Sequence, residues 1–325
     1  MKRWNAADMF DIGQKLFTKI YKKRRISRHN HEIHILAREQ SDWLPNGVQA
    51  MVNGTYVPRY LKRRYFPDEV LDQLHLSDRI LQHVLLKQLK ATIPHVTNPN
   101  CVHVHGPSGV KIATRRIREA LKTQQYNYII RADIRSFYKS IPHYKLLDDL
   151  RHLYDDPKLI AMFEQIIRNP IETPRGYKNA DTGIALRGPL SQFFSAIYLK
   201  PLDDAFNAMD VVYIRYADDI ILLCKTKRSL NRCRRRLMEV LEERKLQLSR
   251  KKSRMGDISK SFHFLGIDYP GTQTLDNTTV EDNQCVDYVS SITGGGSIFL
   301  DKLIMNRFAL CRTRGHCETP ANKSK

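Results

Sequence analysis

Long hydrophobic runs are missing from this chain. No stretch approaches the roughly 18 uncharged apolar residues of a membrane-spanning helix, and the longest run, Ile220–Cys224, has the length of a buried strand. Met1-Lys2-Arg3-Trp4-Asn5 leads into Asp8 and Asp11 without an apolar core, which argues against a secretory signal and for a cytoplasmic protein. Cysteine is sparse. The six, at 101, 224, 233, 285, 311 and 317, include no CxxC pair, so reduced thiols are expected rather than a disulfide framework. Cys311, His316 and Cys317 make half a zinc site with no second pair nearby. No segment repeats at a fixed period, which excludes a solenoid. Acidic residues are also in deficit, with 34 Asp+Glu against 54 Lys+Arg and a net charge of +20 at pH 7. A surplus of that size points to a polyanionic partner, nucleic acid or an anionic surface, rather than to a merely soluble basic protein.

What is present is enough for a core: 325 residues, 42% hydrophobic and 27% charged, suit one or two folded domains and not a disordered chain. Met9, Ile12, Leu16 and Ile20 fall on one helical face that runs into the basic cluster Lys22-Lys23-Arg24-Arg25 and Arg28. A helix capped by Ser77 is expected to Lys90, and Ala91 to Lys111, with Pro94, Pro99, Gly106, Pro107 and Gly109, reads as loop. Helices are expected at Arg115–Lys122, Tyr144–Leu153 and Lys158–Ile167, with another starting at Pro189. Ser229 is placed as the cap of a long helix with Leu230, Cys233, Leu237, Val240 and Leu241 inward and Arg232, Arg235 and Arg236 outward. Strands are expected at Tyr126–Ile134, in a hairpin of Val211–Tyr216 with Ile220–Cys224, and at Phe262–Ile267. The sum is an α+β sandwich with helices on one face of an antiparallel sheet.

The carboxylates are the chemical signal. Asp218-Asp219 sits at the tip of a hairpin between two apolar strands, and Asp133 ends another apolar strand, Tyr128-Ile129-Ile130-Arg131-Ala132. Adjacent like charges beside a core repel, and a divalent cation relieves that repulsion. A solvated turn accounts for one such pair, but not for both strand ends together. Three carboxylates on neighbouring strands of a basic protein fit two-metal phosphoryl transfer, with the ions about 3.5–4 Å apart. Hard oxygen ligands favour Mg²⁺ over zinc.

Ala132-Asp133-Ile134-Arg135-Ser136-Phe137-Tyr138, Tyr216-Ala217-Asp218-Asp219 and Phe264-Leu265-Gly266 resemble the ordered palm motifs of reverse transcriptases, in particular the bacterial branch of group II introns, retrons and diversity-generating retroelements. Between them, the run Gly183 to Gln192, then Ile197-Tyr198-Leu199 and Leu202-Asp203, is similar to the template–primer helix, and Ser77 to His83 is similar to the fingers segment. The resemblance covers about residues 55 to 270. It implies a right-hand polymerase: a basic helical extension over 1–50, fingers over 51–125 with an insertion near 150–182, an antiparallel palm over 126–270 and a short thumb over 271–325. It implies an RNA-directed DNA polymerase using two Mg²⁺, with Mn²⁺ as a substitute.

Carried over by motif, Asp133, Asp218 and Asp219 bind metal together with the main chain of Ile134, and Lys252 acts near the leaving pyrophosphate, with Lys251 as its rival. Tyr138 would block a ribose 2′-hydroxyl, in addition to packing in the core. Ser136, Phe137, Gly188 and Gln192 are expected against the nucleotide, and Phe264, Leu265 and Gly266 form the primer grip. Arg63 and Arg64 are the expected triphosphate contacts. The implied partners are dNTPs, a DNA primer and an RNA template, the last a structured non-coding RNA.

The chain also departs from the family pattern. Leu186-Arg187-Gly188 stands where many relatives have Pro-Gln-Gly, and Ser191-Gln192 resembles the diversity-generating and defence-associated members more than introns. Pro201 is expected to kink or end its helix. About sixty residues follow Gly266, with Gly294-Gly295-Gly296 among them and one thumb helix expected at Asp301–Leu310. So small a thumb would hold duplex weakly and lean on structured RNA, an accessory protein or a homo-oligomer. Two other readings are template-independent or protein-primed synthesis in phage defence and, from another class, a non-catalytic RNA-binding scaffold. An RNA-dependent RNA polymerase shares the palm, but Tyr138 and the setting of Ala217 argue against it. No membrane partner is expected.

Overall fold

The computed structural model describes residues 4–271 apart from 68, 69 and 107. The expected thumb over 271–325, with its helix at Asp301–Leu310 and Cys285, Cys311, His316 and Cys317, lies outside the described residues but for residue 271.

Three helices open the chain: α1 (Ala6–Arg24), α2 (Glu32–Arg38) and α3 (Gln40–Asn53). Asn5 caps α1 by accepting from the Ala7 N–H. The buried line of α1 is Met9, Gly13 and Phe17, with Ile12, Leu16 and Ile20 flanking it. A Cβ on Gly13 would come within 2.7 Å of Leu44, so the bare backbone is what lets α1 and α3 cross closely.

A small sheet follows, of order β2-β1-β4-β5, with β1 (Leu61–Tyr65) and β2 (Val70–Gln73) antiparallel and β1 parallel to β4 (Ile171–Thr173), which turns back into β5 (Gly176–Lys178). Helix α4 (Leu76–Leu89) starts at His75. Ser77 does not cap it, as the sequence suggested; its hydroxyl is buried inside the first turn without a hydrogen-bond partner. The segment expected as loop is largely helical. It holds α5 (Ile93–Val96), a 3₁₀ turn at Val102–His105 and the start of α6 (Ser108–Lys122). Proline and glycine misled here because each suits a helix start: Pro94 sits in the first turn of α5, and Gly109 packs so near the Val102 carbonyl that a Cβ would lie 2.3 Å from it.

The central sheet has the order β6-β7-β3-β8, antiparallel throughout, from β3 (Tyr128–Asp133), β6 (Val212–Tyr216), β7 (Asp219–Cys224) and β8 (Arg254–Asp257). Helices α7 (Phe137–Ser140), α8 (His143–Leu153), α9 (Pro157–Ile167), α10 (Ser191–Tyr198), α11 (Lys200–Asn207) and α12 (Lys227–Glu243) complete the helical set. Thr226, not Ser229, caps α12, its hydroxyl accepting the Ser229 N–H. Pro201 stands in the first turn of α11, where its missing N–H costs nothing, and so divides α10 from α11.

Successive residues of a strand point to opposite faces, and both faces of this sheet are buried. Ile130, Ala132, Tyr213, Ile220 and Leu222 join a core shared with α8 to α12. Ile129, Ile214, Ile221 and Leu223 meet Val102, Ala113, Ile117 and Leu121 of the α6 layer and Phe262, Phe264 and Tyr269. The expectation of helices on one face is therefore corrected: α6 and a hairpin cover the other. That hairpin replaces the single expected strand at 262–267. It is β9 (Phe262–Phe264) paired with β10 (Ile267–Tyr269), and Leu265 and Gly266 turn between them at φ 52° and 80°. Among the described residues no helix is long and apolar enough to cross a membrane.

Candidate active site

Antiparallel pairing puts Asp133 directly opposite Asp219 at one end of the central sheet, and Tyr216 pairs Asp219 from the other side. Matching register places the two carboxylates on one face, the face carrying the β9–β10 hairpin. Arg131, one step along the same face, donates to the His263 carbonyl at 2.9 Å and ties the hairpin to the strand.

Ala217 and Asp218 form the turn, with Ala217 in the left-handed region at φ 54°. The Ile134 N–H donates to the Asp218 carbonyl at 3.2 Å, so the two strand ends are joined at the site itself. The backbone of Asp133 is held by the Ser249 N–H on its carbonyl (2.8 Å) and by the Ser253 hydroxyl accepting from its N–H (3.2 Å). Neither Asp218 nor Asp219 makes an ion pair with the described residues. Burial raises both carboxyls, and Asp133 and Asp218 push Asp219 further, to about 6. This is like-charge crowding that a divalent cation would relieve. Lys252 Nζ lies 3.1 Å from Asp133 Oδ2, while the side chain is otherwise exposed, and the contact raises the ammonium pKa. Among the described residues no three His, Cys, Asp or Glu side chains are gathered closely enough to hold a metal ion as they stand. The donor set is three carboxylates on one sheet end with an exposed ammonium beside them, and hard oxygen donors of that kind fit Mg²⁺.

The other expected residues fall around this end in varying order. Ser136 is exposed at φ 50°, where the chain leaves the strand, and Phe137 is buried against the Tyr138 ring, 5.3 Å between centroids. Burial lifts the Tyr138 hydroxyl to about 12, with the Asp218 charge adding to the shift. Gly188 closes a tight turn ahead of α10, its N–H donating to the Ala185 carbonyl; a Cβ there would meet Ser191 Oγ at 2.7 Å. Gln192 follows on the first turn of α10, and Arg187 occupies the turn at φ 68°. Phe264 is buried in the second core, with Leu265 and Gly266 at the hairpin tip.

Arg63 and Arg64 are not brought together. They are adjacent on β1 and so face opposite ways, and Arg63 is engaged by Asp72 through two bonds, Nε at 2.8 Å and Nη2 at 3.0 Å. Of the two lysines, Lys252 reaches Asp133 and Lys251 makes no such contact.

Sequence reasoning missed what stands behind the turn. Arg215 is fully buried, with Nε 2.7 Å and Nη2 2.6 Å from the two oxygens of Asp203, and Nη1 donates to the Ala217 carbonyl at 3.1 Å. Tyr213 donates to the same Asp203 at 2.6 Å. His103, also buried, accepts the Ala217 N–H on Nδ1 at 3.1 Å. An arginine inside the apolar strand Val212–Tyr216 was the available signal, since a buried cation demands a partner. His103 carried no signal, lying in a segment that reads as loop.

A family model described as "Reverse transcriptase (RNA-dependent DNA polymerase)" matches residues 70–269. No curated protein matches. Among solved structures, telomerase from Candida albicans, complexed with a TWJ fragment of telomeric RNA, is similar at TM-score 0.51 and 14% identity, over 68% of this chain and 46% of that one. Apo telomerase from Candida tropicalis, truncated from its C-terminal domain, is similar at TM-score 0.50 and 14% identity, over 66% and 53%. The chain thus spans about half the length of these telomerases, and at such identity the likeness is one of fold: mixed α/β, with antiparallel sheets. The family match covers more than half of the chain and includes all three aspartates, and on that ground the chain belongs to the reverse transcriptase family.

Proposed function

We propose that the chain is an RNA-directed DNA polymerase that joins a dNTP to a primer 3′-hydroxyl at Asp133, Asp218 and Asp219, releasing pyrophosphate. The observation that carries the reading is the register pairing of Asp133 with Asp219 beside Asp218, where among the described residues no arginine forms an ion pair with any of the three and burial and mutual repulsion hold Asp219 up at about 6. Two bound magnesium ions would supply the positive charge that favours a deprotonated primer hydroxyl and steadies the leaving group. The Ile134 main chain adds to the carboxylates that would hold them.

The chain's own residues do the rest. Lys252 is held at Asp133 but exposed, so its ammonium can turn to the phosphate oxygens as they gain charge. Tyr138 presents a rigid ring beside the turn, packed on Phe137, and excludes a 2′-hydroxyl. The tight turn at Gly188 brings its own backbone and Gln192 towards the nucleotide, and the exposed Ser136 meets it from the end of β3. The Phe264-Leu265-Gly266 tip, anchored through Arg131 to the strand of Asp133, sets the primer end against the carboxylates. Residues 51–125 with the insertion at 150–182 act as fingers, a division supported by the sheet that joins β1 and β2 to β4 and β5. Residues 126–270 act as the palm.

The net charge of +20 supports binding of template and primer largely through phosphates, with affinity falling steeply as salt rises. An RNA–DNA hybrid would be read by shape and backbone. The Ser191-Gln192 ending supports a place among bacterial retroelements of the diversity-generating or defence-associated kind. The test is extension of a DNA primer on an RNA template with dNTPs or rNTPs, in Mg²⁺, Mn²⁺ or EDTA, beside an Asp218→Ala/Asp219→Ala control. The reading expects divalent-dependent dNTP incorporation that the control loses. Salt-sensitive RNA binding, unaffected by EDTA and without incorporation under any condition, would replace it with a scaffold.

A further inference from the structure

The turn that carries Asp218 and Asp219 is gripped from behind on both sides of one residue. Ala217 stands in a left-handed conformation that a non-glycine residue adopts only when its surroundings hold it there. Its carbonyl accepts from Arg215 Nη1 (3.1 Å), and its N–H donates to His103 Nδ1 (3.1 Å). His103 reaches that N–H because the chain at Asn100–Cys101 runs parallel to β6: Arg215 N–H donates to the Asn100 carbonyl, and Cys101 bridges Arg215, so two residues further on each chain His103 meets Ala217.

The tautomer of His103 follows from its partners. An N–H can only donate, so Nδ1 is the acceptor and the proton of the neutral ring is on Nε2. That Nε2–H points at the Gln192 carbonyl, 3.0 Å away, with Ser195 Oγ at 3.3 Å. One buried ring therefore joins the aspartate turn to the first turn of α10. The Tyr216 ring stands edge-on to it, 6.0 Å between centroids.

We infer that His103 is a positioning residue, whose two ring nitrogens lock the Ala217 turn and the start of α10 into one unit so that Asp218 and Asp219 keep a fixed place relative to Gln192. The inference rests on the polymerase reading for its kinetic consequence, but not for the clamp itself.

Two substitutions separate the two bonds. His103→Asn keeps an acceptor where Nδ1 was and loses the donor to Gln192, whereas His103→Gln keeps a donor where Nε2 was and loses the acceptor for Ala217. In primer extension, His103→Gln is expected to lower kcat by about 10–100-fold with KM for the dNTP little changed, the scale seen when residues supporting metal ligands are altered. His103→Asn is expected to act mainly through a raised KM. Hydrogen exchange supplies the readout that a packing role would not move: the Ala217 amide exchanges at least about tenfold faster in His103→Gln and at the wild-type rate in His103→Asn. Equal effects of the two variants on kcat, on KM and on that amide would overturn the clamp. Should neither variant fold, long-range ¹H–¹⁵N spectra of the wild-type protein still decide, since the clamp requires the neutral Nε2–H form of His103 at neutral pH and a proton on Nδ1 sinks it. Wild-type protein that shows this tautomer and a protected Ala217 amide, yet incorporates no nucleotide, would sink the polymerase reading and leave the clamp standing.

Discussion

In the β1–β2 hairpin, Asp72 faces Arg63 as a direct register partner, and the two side chains close a two-bond ion pair. In the β6–β7 hairpin, Asp218 and Asp219 lie within four residues of Arg215, yet its guanidinium turns away to Asp203 and the turn keeps its charge. The same residue types are available in both places. In the first the arginine cancels the carboxylate opposite it; in the second it cancels Asp203 instead and holds the Ala217 carbonyl behind the turn carboxylates. Local charge balance serves stability in the first hairpin, whereas on the proposed reading the second is arranged for a bound divalent cation.

The largest expected effect breaks the second arrangement at its centre. Asp218→Asn or Asp219→Asn should lower divalent-dependent incorporation by roughly 10³-fold or more, the scale of losing a preorganised electrostatic group. Both variants should melt at or above the wild-type temperature, because each removes a desolvated charge from a crowd of like charges. Activity retained, or a melting temperature several degrees lower, would show that these carboxylates support the fold. Next in size is the arginine behind them. Arg215→Met leaves Asp203 buried without its partner and should cost about 3–5 kcal/mol in urea unfolding, whereas Arg215→Met/Asp203→Leu should recover much of it. A single variant as stable as the wild type would count against a structural role for the pair.

How far the site could be read in sequence follows from the same contrast. Asp133, Asp218 and Asp219 were legible because an apolar strand and an apolar hairpin both end in carboxylates, and register pairing follows once those strands are adjacent. The caps were legible as residue types but not as positions. Thr226 took the place expected of Ser229, three residues away, because either hydroxyl suits a helix start. The clamp was not legible, since the His103–Ala217 bond joins residues 114 apart in the chain. No local pattern encodes it, and the 3₁₀ turn that presents His103, Val102–His105, lies in a segment that reads as loop.

Acid gives an intermediate effect. Burial, with Arg215 and His105 adding to it, pushes His103 down to about 3, against the opposing pull of the Gln192 carbonyl; Cys101, Ser195 and the Tyr216 ring complete its surroundings. Between that value and the ordinary 6.5 the unfolded chain binds a proton that the folded chain does not, so this contribution to stability is complete above pH 6.5 and lost as pH falls. At pH 4.5 the loss should be roughly 2–3 kcal/mol relative to neutral pH. His103→Asn should flatten the slope by that amount, measured as the difference in urea midpoint between the two pH values. A slope shared by both proteins would mean that other groups govern acid unfolding.

Lys252 tests whether the cation near Asp133 matters by position. Lys252→Met should slow the chemical step about 10–100-fold, while Lys251→Met stays within about twofold, since only Lys252 reaches the carboxylate. Equal losses would mean that the basic turn acts through its net charge on nucleic-acid binding, and raising salt would then mimic both substitutions.

The smallest effect is expected where the fold has balanced its charges. Arg63 and Asp72 are each about a fifth exposed, their bonds are well formed, and the pair lies on a hairpin with water on its other side. Coulomb attraction there is opposed by the desolvation of both groups and by the freedom that a long side chain gives up. A double-mutant cycle of Arg63→Met and Asp72→Leu should therefore return a coupling near 0.5–1 kcal/mol, shrinking as salt is added. A coupling above about 3 kcal/mol would place this pair with Arg215–Asp203, and the contrast between the hairpins would then lie in depth of burial rather than in use. A small coupling with a large loss of dNTP affinity in Arg63→Met would instead show that the ion pair opens to free Arg63 for the triphosphate, because a guanidinium held by so little can be won by a stronger anion.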